Sequence, residues 1–137
     1  MSLVPAVSKP GLLLPGGVAT STHPSGQQWD YPNGWPNMQH MIIVGADAYG
    51  GPEGKALAKD LATKWLANCY LTYQSTGYFW EKYDVSQVGG KGGGGEYEVQ
   101  KGFGWTNGVI VALLDKYGDE VVAGLDEACA GQNQCVA

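Results

Sequence analysis

Hydrophobic positions in this chain cluster into three helical stretches, separated by long segments with no regular period. From Asn37 onward, Met38, Met41, Ile42 and Gly45 share one helical face, with Asn37 as N-cap. Gly50-Gly51 predicts the stop. Pro52 then suits the first turn of a second helix, with Glu53 favourable near its positive end. Leu57, Leu61, Trp65 and Cys69 recur at every fourth position, flanked by Ala58, Ala62, Leu66 and Tyr73. That spacing predicts an amphipathic helix of roughly five to six turns. A third helix is expected to start at Thr106 or Asn107, to bury Val109, Ile110, Leu113, Leu114 and Tyr117, and to end at Gly118. The tail after Asp119 has room for one more short helix.

The intervening segments have a different character. Residues 1–15 read as an irregular leader, because Pro5, Pro10 and Pro15 oppose helix. Gly16 to Pro36 and Ser75 to Gly104 read as long ordered loops, rich in glycine and aromatics, and ordered loops of this length usually serve function. The expected order is therefore loop, helix, helix, loop, helix: an all-α chain with few or no strands. Three helices carrying two such loops close a core poorly. The loops suit the mouth of a larger helical scaffold.

Composition narrows the function. Of 137 residues, 44% are hydrophobic and 15% charged, which excludes a disordered chain. A net charge of −5 argues against nucleic acid or an anionic membrane as partner, and all eight cations are lysines. No apolar run is long enough to span a bilayer, and Gly11 to Val18 is broken by Pro15, Gly16 and Gly17 without a basic stretch before it. No compartment follows from the sequence. Cys69, Cys129 and Cys135 form neither a disulfide framework nor a zinc pattern; Cys69 suits a helix face, and Cys129 and Cys135 could pair.

Four segments could carry chemistry. Gln27 to Pro36 (QQWDYPNGWP) combines aromatic faces, which cover the apolar side of a sugar, with Asp, Asn and Gln groups that fork onto hydroxyls. A turn packing its aromatics onto the helices would look the same. In Gly77 to Asp84 (GYFWEKYD), Glu81 lies among aromatics and could act on water as a general base, or could be a surface residue paired with lysine. Gly92 to Tyr97 (GGGGEY) lets backbone approach a ligand and carries Glu96, but also reads as a flexible linker. It lacks the order of a phosphate loop. Gly102 to Gly108 (GFGWTNG) sets Trp105 beside a helix start, where capping explains Thr106 and Asn107. His23 and His40 stand alone, and His40 suits packing or capping on its helix. Carboxylates in an aromatic setting free of metal ligands point to glycoside chemistry.

The run QWDYPNGW, followed in order by EKYDV, GGGGEY and GFGWTNG, resembles the family 37 glycoside hydrolases, the trehalases. The resemblance covers about residues 16–119, with 120–137 as a tail; one departure is Asn37, where the family usually has Pro. It implies the C-terminal portion of an (α/α)6 barrel with long active-site loops, and inverting hydrolysis of trehalose to two glucose molecules without a cofactor. By the same match the general base is Glu81, Glu96 binds sugar hydroxyls, and Trp35, Asn33, Gln28, Trp29 and Asp30 line the sugar site. The family's general-acid segment, its first signature and its substrate-binding arginines have no counterpart here. The expectation is a fragment of the catalytic domain, inactive and marginally folded without the missing N-terminal part of the barrel. The alternatives are a non-catalytic sugar-binding or regulatory fragment, and a barrel hydrolase of another α-glucoside.

Overall fold

The computed structural model describes residues 10–130, with side chains as far as Val121. Three helices dominate: α1 (Pro36–Tyr49), α2 (Gly51–Thr76) and α3 (Gly104–Ala130). Pro36 opens α1 from an extended Trp35, where its missing N–H costs nothing. The helix therefore starts before Asn37, which sits inside it rather than capping it. Gly50 ends α1, its N–H donating to the Ala46 carbonyl, and α2 begins at once. A Cβ added at Gly54 would lie 2.3 Å from the Ala46 carbonyl oxygen, so only glycine permits the α1–α2 corner to close. Gly77, at φ 77°, turns the chain out of α2 in the left-handed region.

The three helices meet along one buried seam. It joins Ile43 and Ala46 of α1, Ala58, Leu61, Ala62 and Trp65 of α2, and Val109, Leu113, Tyr117 and Val121 of α3. The predicted stripe of α2 is confirmed at Leu61, Trp65 and Cys69, and the helix is longer than expected, at 26 residues. The predicted face of α1 is rotated. Met41 is 71% exposed, while Gln39 and Ile43 are buried. α3 does not stop at Gly118. A glycine inside a helix costs only about 1 kcal/mol, and Val121 extends the stripe set by Tyr117 one turn further.

Five two-residue strands organise the loops. Leu13–Leu14 (β1) pairs antiparallel with Gly17–Val18 (β2). Asn33–Gly34 (β3), Tyr83–Asp84 (β4) and Gly90–Lys91 (β5) form an antiparallel sheet in that order. The end of the expected leader is thus ordered, with Leu12, Leu13 and Leu14 packed on the core. Residues 1–9 and Cys135 lie outside the described residues, as does the side chain of Cys129, and with them the expected Cys129–Cys135 pairing. Among the described residues, no helix is long and apolar enough to cross a membrane.

Candidate active site

The sheet brings the separate motifs together. β3 belongs to QWDYPNGW, β4 to EKYDV, and β5 leads into the glycine run. Asn33 faces Asp84 and Gly34 faces Tyr83; on the other edge Tyr83 faces Lys91. Strands this short need outside support, and two buried amides supply it. Gln39 of α1 pairs with both backbone groups of Val18, accepting from its N–H at 2.9 Å and donating to its carbonyl at 2.6 Å. Asn68 of α2 donates to the carbonyls of Gly16 and Asp84 and accepts from the N–H groups of Gly89 and Gly90. The hydrophobic period hides both residues. Their sequence signal is a polar amide inside a helix's apolar stripe.

An aromatic wall stands beside the sheet. The rings of Trp29 and Trp35 stack at 3.8 Å and 9°. Trp105 meets Trp35 edge-on at 5.6 Å and also contacts Phe103. Trp35 is buried between them, so Trp29, 43% exposed, presents the open ring. Its position is fixed by the indole N–H of Trp35, which donates to the Gln28 carbonyl at 2.9 Å. The GFGWTNG motif joins the same assembly. The Trp105 indole donates to the Glu81 carbonyl at 3.3 Å, and Thr106 Oγ1 donates to the Trp80 carbonyl at 2.6 Å. Thr106, in the first turn of α3, therefore ties that helix to the loop at Trp80 and does not cap it.

Glu81 lies at the centre of this arrangement, 8% exposed, with its backbone N–H on the Gln100 carbonyl at 2.9 Å. It is not a surface carboxylate. Lys82 beside it is fully buried; burial lowers the pKa of its ammonium, and the charge of Glu81 opposes that shift. Lys82 Nζ donates to the Gly94 carbonyl at 3.1 Å and sits 5.4 Å over the Trp35 ring. Behind it Tyr83 is buried edge-on against Trp65 at 5.1 Å, and burial pushes its phenol above the ordinary range.

The glycine run is a strap held at several points, not a flexible linker. Gly92 N–H donates to the Lys82 carbonyl, Gly93 N–H to Asn33 Oδ1, and Gly95 N–H to the Gly26 carbonyl. Side chains would not fit at Gly92 or Gly94. A Cβ at Gly92 would lie 2.8 Å from the Lys82 side chain, and one at Gly94 would lie 2.5 Å from the Gly26 carbonyl. Glu96 follows the strap on the surface, next to Gly95, whose Cα faces the Gln28 side chain. Asn33 is buried, with its amide shared between Gly93 and the Asp30 carbonyl. The Asp30 carboxylate accepts from Ser25 and from Ser21, and these hydrogen bonds hold its pKa below the usual carboxylate range. The structure thus gathers Gln28, Trp29, Asp30, Asn33, Trp35, Glu81 and the approach to Glu96 into one loop cluster.

Comparison with known proteins gives the family. A family model described as Trehalase matches residues 2–118. The chain belongs to the trehalase family. A probable trehalase of Oryza sativa subsp. japonica is 51% identical over 113 residues, covering 82% of this chain and 20% of that protein. The periplasmic trehalase of Pseudomonas aeruginosa is 51% identical over 107 residues, 78% of this chain and 19% of its own length. The human trehalase is 46% identical over 108 residues, 79% and 18% respectively. The chain therefore spans about a fifth of the length of the trehalases it matches.

Proposed function

We propose that this chain supplies the general base and part of the sugar-binding wall of an α,α-trehalase, within an (α/α)6 barrel completed by sequence it does not contain. The supporting observation is the burial of Glu81 against the GFGWTNG motif, with the Trp105 indole bonded to the Glu81 backbone carbonyl, while the adjoining Lys82 reaches the glycine strap and Trp35. In an inverting reaction, Glu81 takes a proton from water attacking the anomeric carbon, while an acid on the opposite side protonates the glycosidic oxygen. The two carboxyl groups stand about 6.5–9.5 Å apart to admit that water. The acid comes from outside this chain. Trp29 covers the apolar face of a glucose ring, with Trp35 stacked behind it as its support, and Glu96 and Gln28 take the sugar's hydroxyls. Asn33 and Asp30 complete this lining, and their present hydrogen bonds also shape its loops.

The test is glucose release from trehalose. Expected outcomes are none from the purified chain alone, and release when it is combined with the remaining four fifths of the rice relative. Glu81→Gln in the combination should lower kcat by about 10²–10⁴-fold. Full activity in that variant would refute the assignment. Trehalose binding without turnover would favour a non-catalytic sugar-binding role.

A further inference from the structure

Lys82 has a position that a neighbour of the base does not require. Lysine is almost never fully buried unless its ammonium is paired, yet this side chain is wholly buried. Its ammonium lies on the Gly94 carbonyl and over Trp35. One residue therefore touches the glycine strap and the tryptophan wall, and is covalently next to Glu81. The strap passes over it closely. Gly92 N–H bonds the Lys82 carbonyl at 3.2 Å, and the space where a Gly92 side chain would stand is filled by the Lys82 side chain.

We propose that Lys82 is a positioning residue, which holds the glycine strap against the tryptophan wall and so sets where Glu96 stands relative to Glu81. This rests on the roles given above to Glu81 and Glu96. Three interactions of different kinds converge on the strap: backbone bonds from Lys82 and Gly26, a side-chain acceptor from Asn33, and the Lys82 ammonium. Only the last carries a charge, and a charge-assisted hydrogen bond is about twice as strong as a neutral one. The cation over the Trp35 face adds an attraction that strengthens as water is excluded. When the ammonium is lost, the Gly94 carbonyl turns to solvent and the strap lifts, while the helices beneath are untouched.

The test combines amide hydrogen exchange on the full chain with kinetics in the enzyme completed from the rice relative. In Lys82→Met, which keeps length but removes the charge, the amides of Gly92, Gly93 and Gly95 should exchange about tenfold faster or more. Amides of α2 should be unchanged. In the completed enzyme the same variant should raise KM about tenfold with a smaller loss in kcat, and Lys82→Arg should restore part of both. Unchanged strap exchange would overturn the proposal. So would unprotected strap amides in the wild-type chain, or an equal loss of protection in α2, which would make Lys82 a general packing residue. Glu81→Gln separates the two readings. If that variant keeps its activity, the catalytic assignment fails whatever the strap does. If it is inactive and Lys82→Met behaves as wild type, the positioning role alone fails.

Discussion

At the scale of single residues, Tyr83 and Cys69 are titratable groups buried together in the core. Burial pushes both the phenol and the thiol above their ordinary ranges. Free cysteine titrates near pH 8.5 and tyrosine near pH 10. Because the folded state holds these protons more tightly than the unfolded chain, the stability they contribute is complete below those values. It is lost as pH rises above them. The urea midpoint should therefore fall between pH 7.5 and pH 10.5, and Tyr83→Phe should reduce that fall. The Cys69 thiol should resist alkylation at pH 8 until denaturant is added, as read by mass spectrometry of its peptide. Rapid labelling of the native chain would contradict this picture.

Elements depend on polar contacts that the hydrophobic period does not announce. Asn68→Ala leaves four backbone groups of three segments without their partner, and each unsatisfied buried group costs about 1–3 kcal/mol. A loss of about 3 kcal/mol or more is expected in equilibrium unfolding. Asn68→Asp should do no better, since it keeps the acceptor for Gly89 and Gly90 but faces two carbonyls with a carboxylate. The helices themselves are legible from sequence because α2 and α3 repeat large apolar residues at every fourth position. α1 is misread by one face because its buried Gln39 is polar while its exposed Met41 is not. The strands are not legible at all. Two-residue pairings such as Asn33–Gly34 with Tyr83–Asp84 are fixed by amides from the helices, not by any alternation of their own. The candidate site residues come from the ordered motifs that match the family. Lys82, which follows Glu81 in one of those motifs, gains a role only from its burial and its partners.

On the scale of the whole molecule, the helices keep apolar side chains that no described residue covers. Met41 and Val44 lie open on α1, Tyr70 and Tyr73 on α2, and Val111 and Leu114 on α3. An apolar cavity of about 140 Å³ lies between α2 and α3, lined by Leu66, Cys69, Tyr70, Phe79, Ile110 and Leu114. Open apolar side chains beside an apolar cavity suit an interaction site and carry an aggregation liability. The isolated chain should bind a hydrophobic dye and self-associate with rising concentration, and the remainder of a trehalase should suppress both. A dye-silent monomer across the concentration range would show that these faces are self-sufficient.

The amide of Asn68 also decides where this protein can change in length. It grips the chain at Asp84 and again at Gly89 and Gly90, and between those points Val85 is fixed to the Pro32 carbonyl. Residues 86–88 join these points as a short bight of chain whose two ends are fastened by the same helix, with Ser86 bonded back to the Asp84 carboxylate. Residues added there would bulge outward and leave the site as it was. An insertion of one residue anywhere from Glu81 to Val85 would push Glu81, Lys82 and the strap out of step with the tryptophans together. Across related sequences, gaps should therefore collect at the bight and stay out of the stretch before it.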